Sequence, residues 1–170
     1  MLCSTAAGDV YNLTAFSMCA HNGTHIDAPF HFLPEGKTME RLPLDAFVGD
    51  CFVARHQGDV TAEDARTILV KAAGAERILI AGDVTVTEEA AQVFARSGIK
   101  LLGNEGQTVG PEDAPMEVHL IMLGAEIVLL EGIRLENVPE ELNDYFARYG
   151  FEKTQNGAME MSIGYEDREL

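Results

Sequence analysis

From residue 61 to residue 130, short apolar runs of strand length alternate with capped, helix-spaced segments, and this alternation restricts the possible folds more than any other feature of the chain. Residues 77–81 (Arg-Ile-Leu-Ile-Ala), 99–102 and 126–130 are apolar, bounded by turn residues and too short for helices, so each predicts a buried strand. Between them the period changes. Thr61 with Glu63 and Asp64 has the form of an N-cap and acidic first turn, and residues 65–73 then carry helical spacing. Residues 87–97 open Thr-Glu-Glu and stop before Gly98, and residues 116–123 predict a third, short helix. A further strand is expected within residues 47–55, around Cys51-Phe52-Val53-Ala54. Strands joined through helices make α/β the expected class. The start is different: residues 11–19 read as a strand running into a polar loop over 21–29, an irregular, β-rich opening that a simple doubly wound sheet lacks. Past Pro139 the pattern predicts a helix over 140–151 and an edge strand over 158–163.

A chain of 170 residues, 46% hydrophobic and 24% charged, is expected to form one domain spanning 1–170 around one core. Its 12 basic and 28 acidic residues leave a formal charge of -16, which repels phosphate backbones and anionic bilayers, so neither nucleic acid nor membrane is expected as a partner. Cys3, Cys19 and Cys51 lack paired spacing and read as reduced thiols of a cytoplasmic protein. Asp9 and Asn12 interrupt the first apolar stretch, which argues against a secretory leader, and no run reaches spanning length.

The chemistry concentrates in His21-Asn22-Gly23-Thr24-His25-Ile26-Asp27-Ala28-Pro29-Phe30-His31-Phe32. A helix would bring His21 and His25 together but turn Asp27 away, and Gly23 and Pro29 are poor helix formers. Asn22 also stands where a helical His-Glu-x-x-His motif requires its glutamate. In extended chain, positions 21, 25, 27 and 31 share one face. A straight strand would hold their ends roughly 33 Å apart, far beyond the about 2 Å reach of a metal to each ligand, so the segment must bend, with Gly23 and Pro29 as the bending points. Imidazoles with a carboxylate suit Zn, Mn or Fe, and three protein ligands leave a position for water. Read singly, each of these histidines is an ordinary surface residue; together they require a common cause. His56, alone after a strand, and Asp83 are expected at the surface.

The run His-x-Gly-Thr-His-x-Asp-x-Pro-x-His at 21–31 resembles the signature of the metal-dependent cyclase family, which includes bacterial kynurenine formamidase and isatin hydrolase. Residues 88–103 and 119–132 are similar to later segments of that family, so the resemblance spans roughly residues 12–140. It implies a β-rich α/β domain of the swivelling β/β/α kind and a hydrolase that opens an amide, formamide or related cyclic amide or ester through a metal-bound hydroxide. By position, His21, His25 and Asp27 correspond to ligands of a first metal and His31 to the catalytic histidine. His119 and Glu131 match the residues that complete a two-metal site. One or two divalent ions, zinc first and manganese as the alternative, a small-molecule substrate and a homo-oligomer (dimer or tetramer) follow from the same resemblance. Three departures stand against it: little of the family's Pro- and Gly-rich opening precedes Tyr11, Asn104-Glu105-Gly106-Gln107-Thr108-Val109-Gly110 replaces an Asp and a Ser-x-Asp, and the tail after about residue 140 diverges. They motivate a competing reading, a degenerate relative that binds metal or a partner without turnover.

Overall fold

The computed structural model describes residues 2–136, residue 138 and the backbone of two strands at 151–153 and 159–161. Four parallel strands, β2 (Cys51–Arg55), β4 (Arg77–Ala81), β6 (Leu101–Asn104) and β7 (Val128–Glu131), and one antiparallel edge strand, β1 (His25–Asp27), form a sheet of order β1-β7-β6-β4-β2. Among the described residues three α-helices, α1 (Ala62–Ala72), α2 (Glu88–Ala95) and α3 (Met116–Gly124), each connect neighbouring parallel strands. Because such crossovers are right-handed and every step advances the sheet in one direction, the helices fall on one face, where α1 packs on α2 and α2 on α3.

Strand periodicity divides the core. Ile78 and Ile80 of β4 point under the helices, with Phe52, Leu102, Leu129, Phe94 and Met122. Leu79 and Ala81, of opposite parity, meet Val53, Ile133 and Leu135 on the other face, which the segment after β7 covers. Glu105 fixes that cover: Oε1 accepts from Leu135 N–H at 2.9 Å and Oε2 from Gly82 N–H at 2.7 Å. A small parallel pair, β3 (Gly58–Val60) with β5 (Val84–Val86), continues beyond the ends of β2 and β4.

The expected cap is present in full. Thr61 Oγ1 accepts from Asp64 N–H while the Asp64 carboxylate accepts from Thr61 N–H at 2.9 Å, so α1 begins on a capping box. Thr87 caps α2 in the same position.

Several expectations need correction. Residues 11–19 form no strand, only an isolated bridge from Leu13 to Cys3, and Val10 and Phe16 are left exposed, because no sheet edge lies beside them to pair with. The strand of this region is instead β1, inside the segment predicted as loop. Residues 47–50 precede β2 rather than belonging to it, and short 3-10 turns such as Leu44–Ala46 occupy the approach. The strands expected at 99 and 126 begin later, at Leu101 and Val128, and β3 and β5 were not anticipated. His56 is half-buried rather than exposed, with Nε2 at 3.0 Å from the Asp59 carbonyl, while Asp83 is exposed as expected. Near the far end, β9 (Met159–Met161) lies within the predicted edge strand and pairs antiparallel with β8 (Phe151–Lys153), which begins on the last residue of the predicted helix; residues 140–150 of that helix lie outside the described residues.

Candidate metal centre

The site is assembled by the antiparallel pairing of β1 with β7. Its register sets His25 opposite Glu131 and Asp27 opposite Leu129. Opposed residues share a face, and so do residues two apart on one strand, so His25, Asp27 and Glu131 project together. Leu129 belongs to the core under the helices, which places this trio on the helix-covered face at the carboxyl end of β7, the end of a parallel strand at which α/β sheets bind ligands. Helix α3 crosses there and contributes His119. The bend demanded by the His spacing is made at the two expected places: Gly23 takes a left-handed φ of 64°, and Pro29 opens a 3-10 turn, Pro29–His31. Gly132 locks the corner, for at φ 69° a Cβ would strike the Gly23 carbonyl, and Thr24 Oγ1 donates to the Gly132 carbonyl at 2.7 Å.

Four imidazoles surround two buried carboxylates, and each carboxylate serves two groups. Asp27 Oδ1 lies 3.8 Å from both His21 Nδ1 and His25 Nε2, and Glu131 Oε2 lies 3.9 and 3.3 Å from the same two nitrogens. The other oxygens turn the other way: Asp27 Oδ2 is 3.6 Å from His31 Nε2 and 3.7 Å from His119 Nε2, and Glu131 Oε1 is 3.3 Å from His119 Nε2. One ligand atom each from His21, His25, Asp27 and Glu131 fall within 4.8 Å of one another. Glu131 therefore joins the first group of three predicted from the sequence, while His119 and His31 stand at the second pair of oxygens.

Hydrogen bonds to backbone carbonyls orient the rings. His25 Nδ1 lies 2.9 Å from the Gly23 carbonyl and His119 Nδ1 lies 2.8 Å from the Pro115 carbonyl; a carbonyl can only accept, so each Nδ1 carries a hydrogen and each Nε2 is turned toward the carboxylates, where it is free to serve a metal whenever it is unprotonated. With its Nδ1 carrying the hydrogen, neutral His25 can accept at Nε2 from His21 Nδ1–H, 2.6 Å away. The His119 ring feels burial first, which lowers its basicity, yet its hydrogen bonds to Glu131 and Pro115 and the charges of Glu131 and Asp27 together raise its pKa above the ordinary histidine value.

Asp27 and Glu131 are almost wholly buried, with side chains 5% and 0% exposed. Asp27 Oδ2 and Glu131 Oε2 have no hydrogen-bond partner among the described residues, and the only basic side chains paired with either carboxylate there are imidazoles. Two buried anions with orphaned oxygens, facing neutral nitrogen donors, fit a divalent cation of the borderline class and would be costly without one.

His31 is different in kind. Its side chain is 42% exposed, its ring stacks at 5.8 Å on His21, and it faces a pocket of about 360 Å³ shared with His21 and His119. Phe32 and Pro115 give this pocket an apolar wall. The loop between β6 and α3 lines the other side of the pocket and also supports the metal group, since Val109 N–H donates to Glu131 Oε1 at 2.9 Å. Gln107, Thr108 and Glu112 of that loop line the pocket and were not foreseen as site residues. The available signal was the polar, glycine-punctuated run that follows a strand at its carboxyl end.

Several known proteins are similar to this chain. The cyclase family model matches residues 4–111. The kynurenine formamidase of Erythrobacter litoralis is 29% identical over 146 residues, covering 78% of this chain and 67% of the relative. That of Salinibacter ruber is 30% identical over 147 residues, covering 75% and 68%. Among solved structures, a potential metal-dependent hydrolase with cyclase activity superposes with a TM-score of 0.65 at 27% identity over 73% of this chain and 68% of the other. Isatin hydrolase A from Labrenzia aggregata shares the fold, with a TM-score of 0.64 at 20% identity over 77% and 67%.

Proposed function

The chain belongs to the cyclase family, a metal-dependent hydrolase family that opens carbon–nitrogen bonds other than peptide bonds, and on that premise we propose that this protein hydrolyses an aryl formamide to formate and an aromatic amine. The observation that carries the proposal is the pair of buried carboxylates, each with one oxygen toward His21 and His25 and the other toward His119, with His31 also at the second oxygen of Asp27, beside a pocket with an aromatic wall.

His21, His25, Asp27 and Glu131 would hold one divalent ion, and Asp27, Glu131 and His119 a second, with zinc preferred and manganese the alternative. Such ions supply Lewis acidity, polarising a carbonyl and making water acidic enough to attack near neutrality. The protein supplies the rest. His31, solvent-reachable and facing the pocket, takes a proton from the attacking water and returns it to the departing nitrogen, so that the amine leaves neutral while formate is released. Asp27 Oδ2, 3.6 Å from His31 Nε2, orients the ring for these transfers. Phe32, with ring centroids 4.8 Å from His31 and 4.7 Å from His119, provides a face for the aryl group and keeps water from that side. Val109 N–H and the Gly23 and Pro115 carbonyls hold the ligand side chains in place.

We further propose a cytoplasmic homo-oligomer. Among the described residues no helix is long and apolar enough to cross a membrane, and the three cysteines are free. Val10, Phe16 and Met18 expose apolar side chains beside the site segment, the kind of surface that a second copy covers. Light scattering at micromolar concentration should give a dimer or tetramer, and an 18.5 kDa particle would overturn that assignment.

Metal-loaded protein assayed against N-formylkynurenine, formanilide, isatin and a lactone tests the central reading. Formate release from the formamides supports it; stoichiometric metal with no turnover on any of the four replaces it with the metal-binding, non-catalytic relative.

A further inference from the structure

Asn104 is the last residue of β6 and lies wholly inside the protein, one register step beyond the pairing of Gly103 with Leu130. Leu102 and Leu129, two residues back on each strand, belong to the core under the helices, so Asn104 and Glu131 project side by side toward the same layer. The chemistry proposed for the site uses Glu131 and gives Asn104 no part. Its Nδ2 donates to the Thr108 carbonyl at 2.9 Å, while Oδ1 is buried without a partner among the described residues. A carbonyl can only accept, so the nitrogen is the end that must face Thr108. A buried acceptor left unpaired costs at least as much as one such bond returns, which makes stability a poor reason for an amide at this position.

The bond that Asn104 does make fixes one peptide unit. The Thr108 carbonyl and the Val109 N–H belong to the same planar group and point in opposite directions. Asn104 holds the first, and the second donates to Glu131 Oε1 at 2.9 Å. Rotation of this peptide breaks both bonds at once. The neighbouring backbone is pinned as well, the Val109 carbonyl by Val86 N–H and the Gly106 carbonyl by Gly132 N–H, each at 2.8 Å. A Cβ at Gly106 would stand 3.0 Å from Asn104 Nδ2 and 3.2 Å from the Thr108 carbonyl oxygen, pressing on the bond between them. Glu131 Oε1, the oxygen that this peptide holds, is the one 3.3 Å from His119 Nε2, and Oε2 is the one that faces His21 and His25.

We propose that Asn104 is a positioning residue for the second metal site: through the peptide between Thr108 and Val109 it keeps Glu131 Oε1 turned to His119, so that one carboxylate serves two ions. The inference rests on the two-ion reading above and adds the residue that divides Glu131 between the ions. Without the amide the peptide is free to turn, Oε1 loses its donor, and the carboxylate is no longer held across the two groups of imidazoles. The first ion keeps His21, His25, Asp27 and Glu131; the second loses a fixed oxygen beside His119.

Titration of metal-free protein with cobalt(II), followed by visible absorption and by calorimetry, resolves the equivalents without recourse to turnover. Wild type should take up two, and the equivalent lost in His119→Ala marks the second site. Asn104→Leu and Asn104→Ala should weaken that same equivalent about 10- to 100-fold, the usual effect of removing a hydrogen-bonded support of a metal ligand, and leave the other unchanged. Leucine fills the space at 104 and alanine empties it, so a selective loss shared by both reports the amide rather than packing. Gly106→Ala presses on the same bond without touching Asn104, at a half-buried glycine whose φ is not left-handed, and should weaken the same equivalent by a smaller factor. If neither Asn104 variant folds, Gly106→Ala decides alone. Equal weakening of both equivalents reduces Asn104 to a structural residue and overturns the proposal, as do unchanged affinities. A wild type that takes up a single ion also overturns it while leaving the hydrolytic reading intact, and a wild type that takes up none removes both.

Discussion

Replacing His31 and His25 in parallel separates proton transfer from metal binding within one short segment. The His25 side chain is 8% exposed, with Nε2 3.3 Å from Glu131 Oε2 and Nδ1 tied to the Gly23 carbonyl, so His25→Ala removes a donor from the heart of the cluster. His31 is 42% exposed, and the carboxylate it reaches is Asp27, at 3.6 Å. With zinc at about 1,000 times its Kd, a metal that binds only the folded state adds about 4.1 kcal/mol. For a chain of this size each kcal/mol moves Tm by about 2–4 °C, so zinc should raise the wild-type Tm by about 8–16 °C. His31→Ala should keep that rise and its metal stoichiometry while turnover falls about 10²- to 10⁴-fold, a barrier increase of about 2.7–5.4 kcal/mol. His25→Ala should lose both the rise and the turnover. Elemental analysis, differential scanning calorimetry with and without chelator, and formate release read the three quantities. If His31→Ala sheds zinc as readily as His25→Ala, His31 is a ligand and the division of roles is wrong.

Further expectations concern the frame around the site. Protein purified without chelator should contain one to two equivalents of a divalent transition metal; absence of metal together with no uptake of zinc or manganese would remove the basis of the hydrolytic reading. Gly132→Ala forces a side chain into a left-handed φ against the Gly23 carbonyl, so it should cost about 2 kcal/mol or more and weaken zinc affinity; a variant with wild-type Tm and affinity would refute the claim that this corner is tight. Thr61→Ala should cost about 1 kcal/mol through the lost cap of α1. The Asp64 carboxyl is held below its ordinary pKa by the Thr61 side chain first and the Thr61 N–H second, so its contribution is present above the unfolded carboxylate range and is lost as pH falls through the lowered value. Chemical denaturation at pH 7 and pH 3 should therefore show a smaller Thr61→Ala penalty at the lower pH.

What could be read in the sequence was whatever depended on local pattern. Residues 77–81 match β4 end to end because both faces of that strand are covered, giving an unbroken apolar run, and Thr61 with Asp64 marked the start of α1 because the capping box is local chemistry. The spacing of His21, His25, Asp27 and His31 showed that the segment bends at Gly23 and Pro29, since no straight conformation serves all four. Features that depend on distant pairing stayed hidden. β1 is three residues long and is a strand because β7 lies beside it, whereas residues 11–19 have strand composition and no neighbour. Glu131, read alone, has the pattern of a solvated strand end; only the β1 register reveals that it faces His25 and is wholly buried. The side chains of the loop after β6 gave no sign of their place in the pocket, because their meeting with His31 and Phe32 depends on where α3 returns.

The pairing of β1 with β7 also sets an order of assembly. Thr24 and Gly132, which hydrogen-bond across this corner, are 108 residues apart in sequence, while every parallel strand pair among β2, β4, β6 and β7 joins consecutive βαβ neighbours. Closing so long a loop costs only slightly more than closing a short one, but nothing rewards the closure until β7 exists. The βαβ layer can therefore form during synthesis while the first thirty residues wait, and His21, His25, Asp27 and His31 meet His119 and Glu131 only when their segment docks beside α3 and the final strand of the sheet. Run backwards, the same dependence makes this edge the first to come undone. When metal is stripped, amide hydrogens of residues 25–27 should exchange with solvent well before those of 77–81, the outcome expected if a bound ion clasps together two chain segments that are otherwise joined only by a three-residue ladder and the Thr24–Gly132 bond.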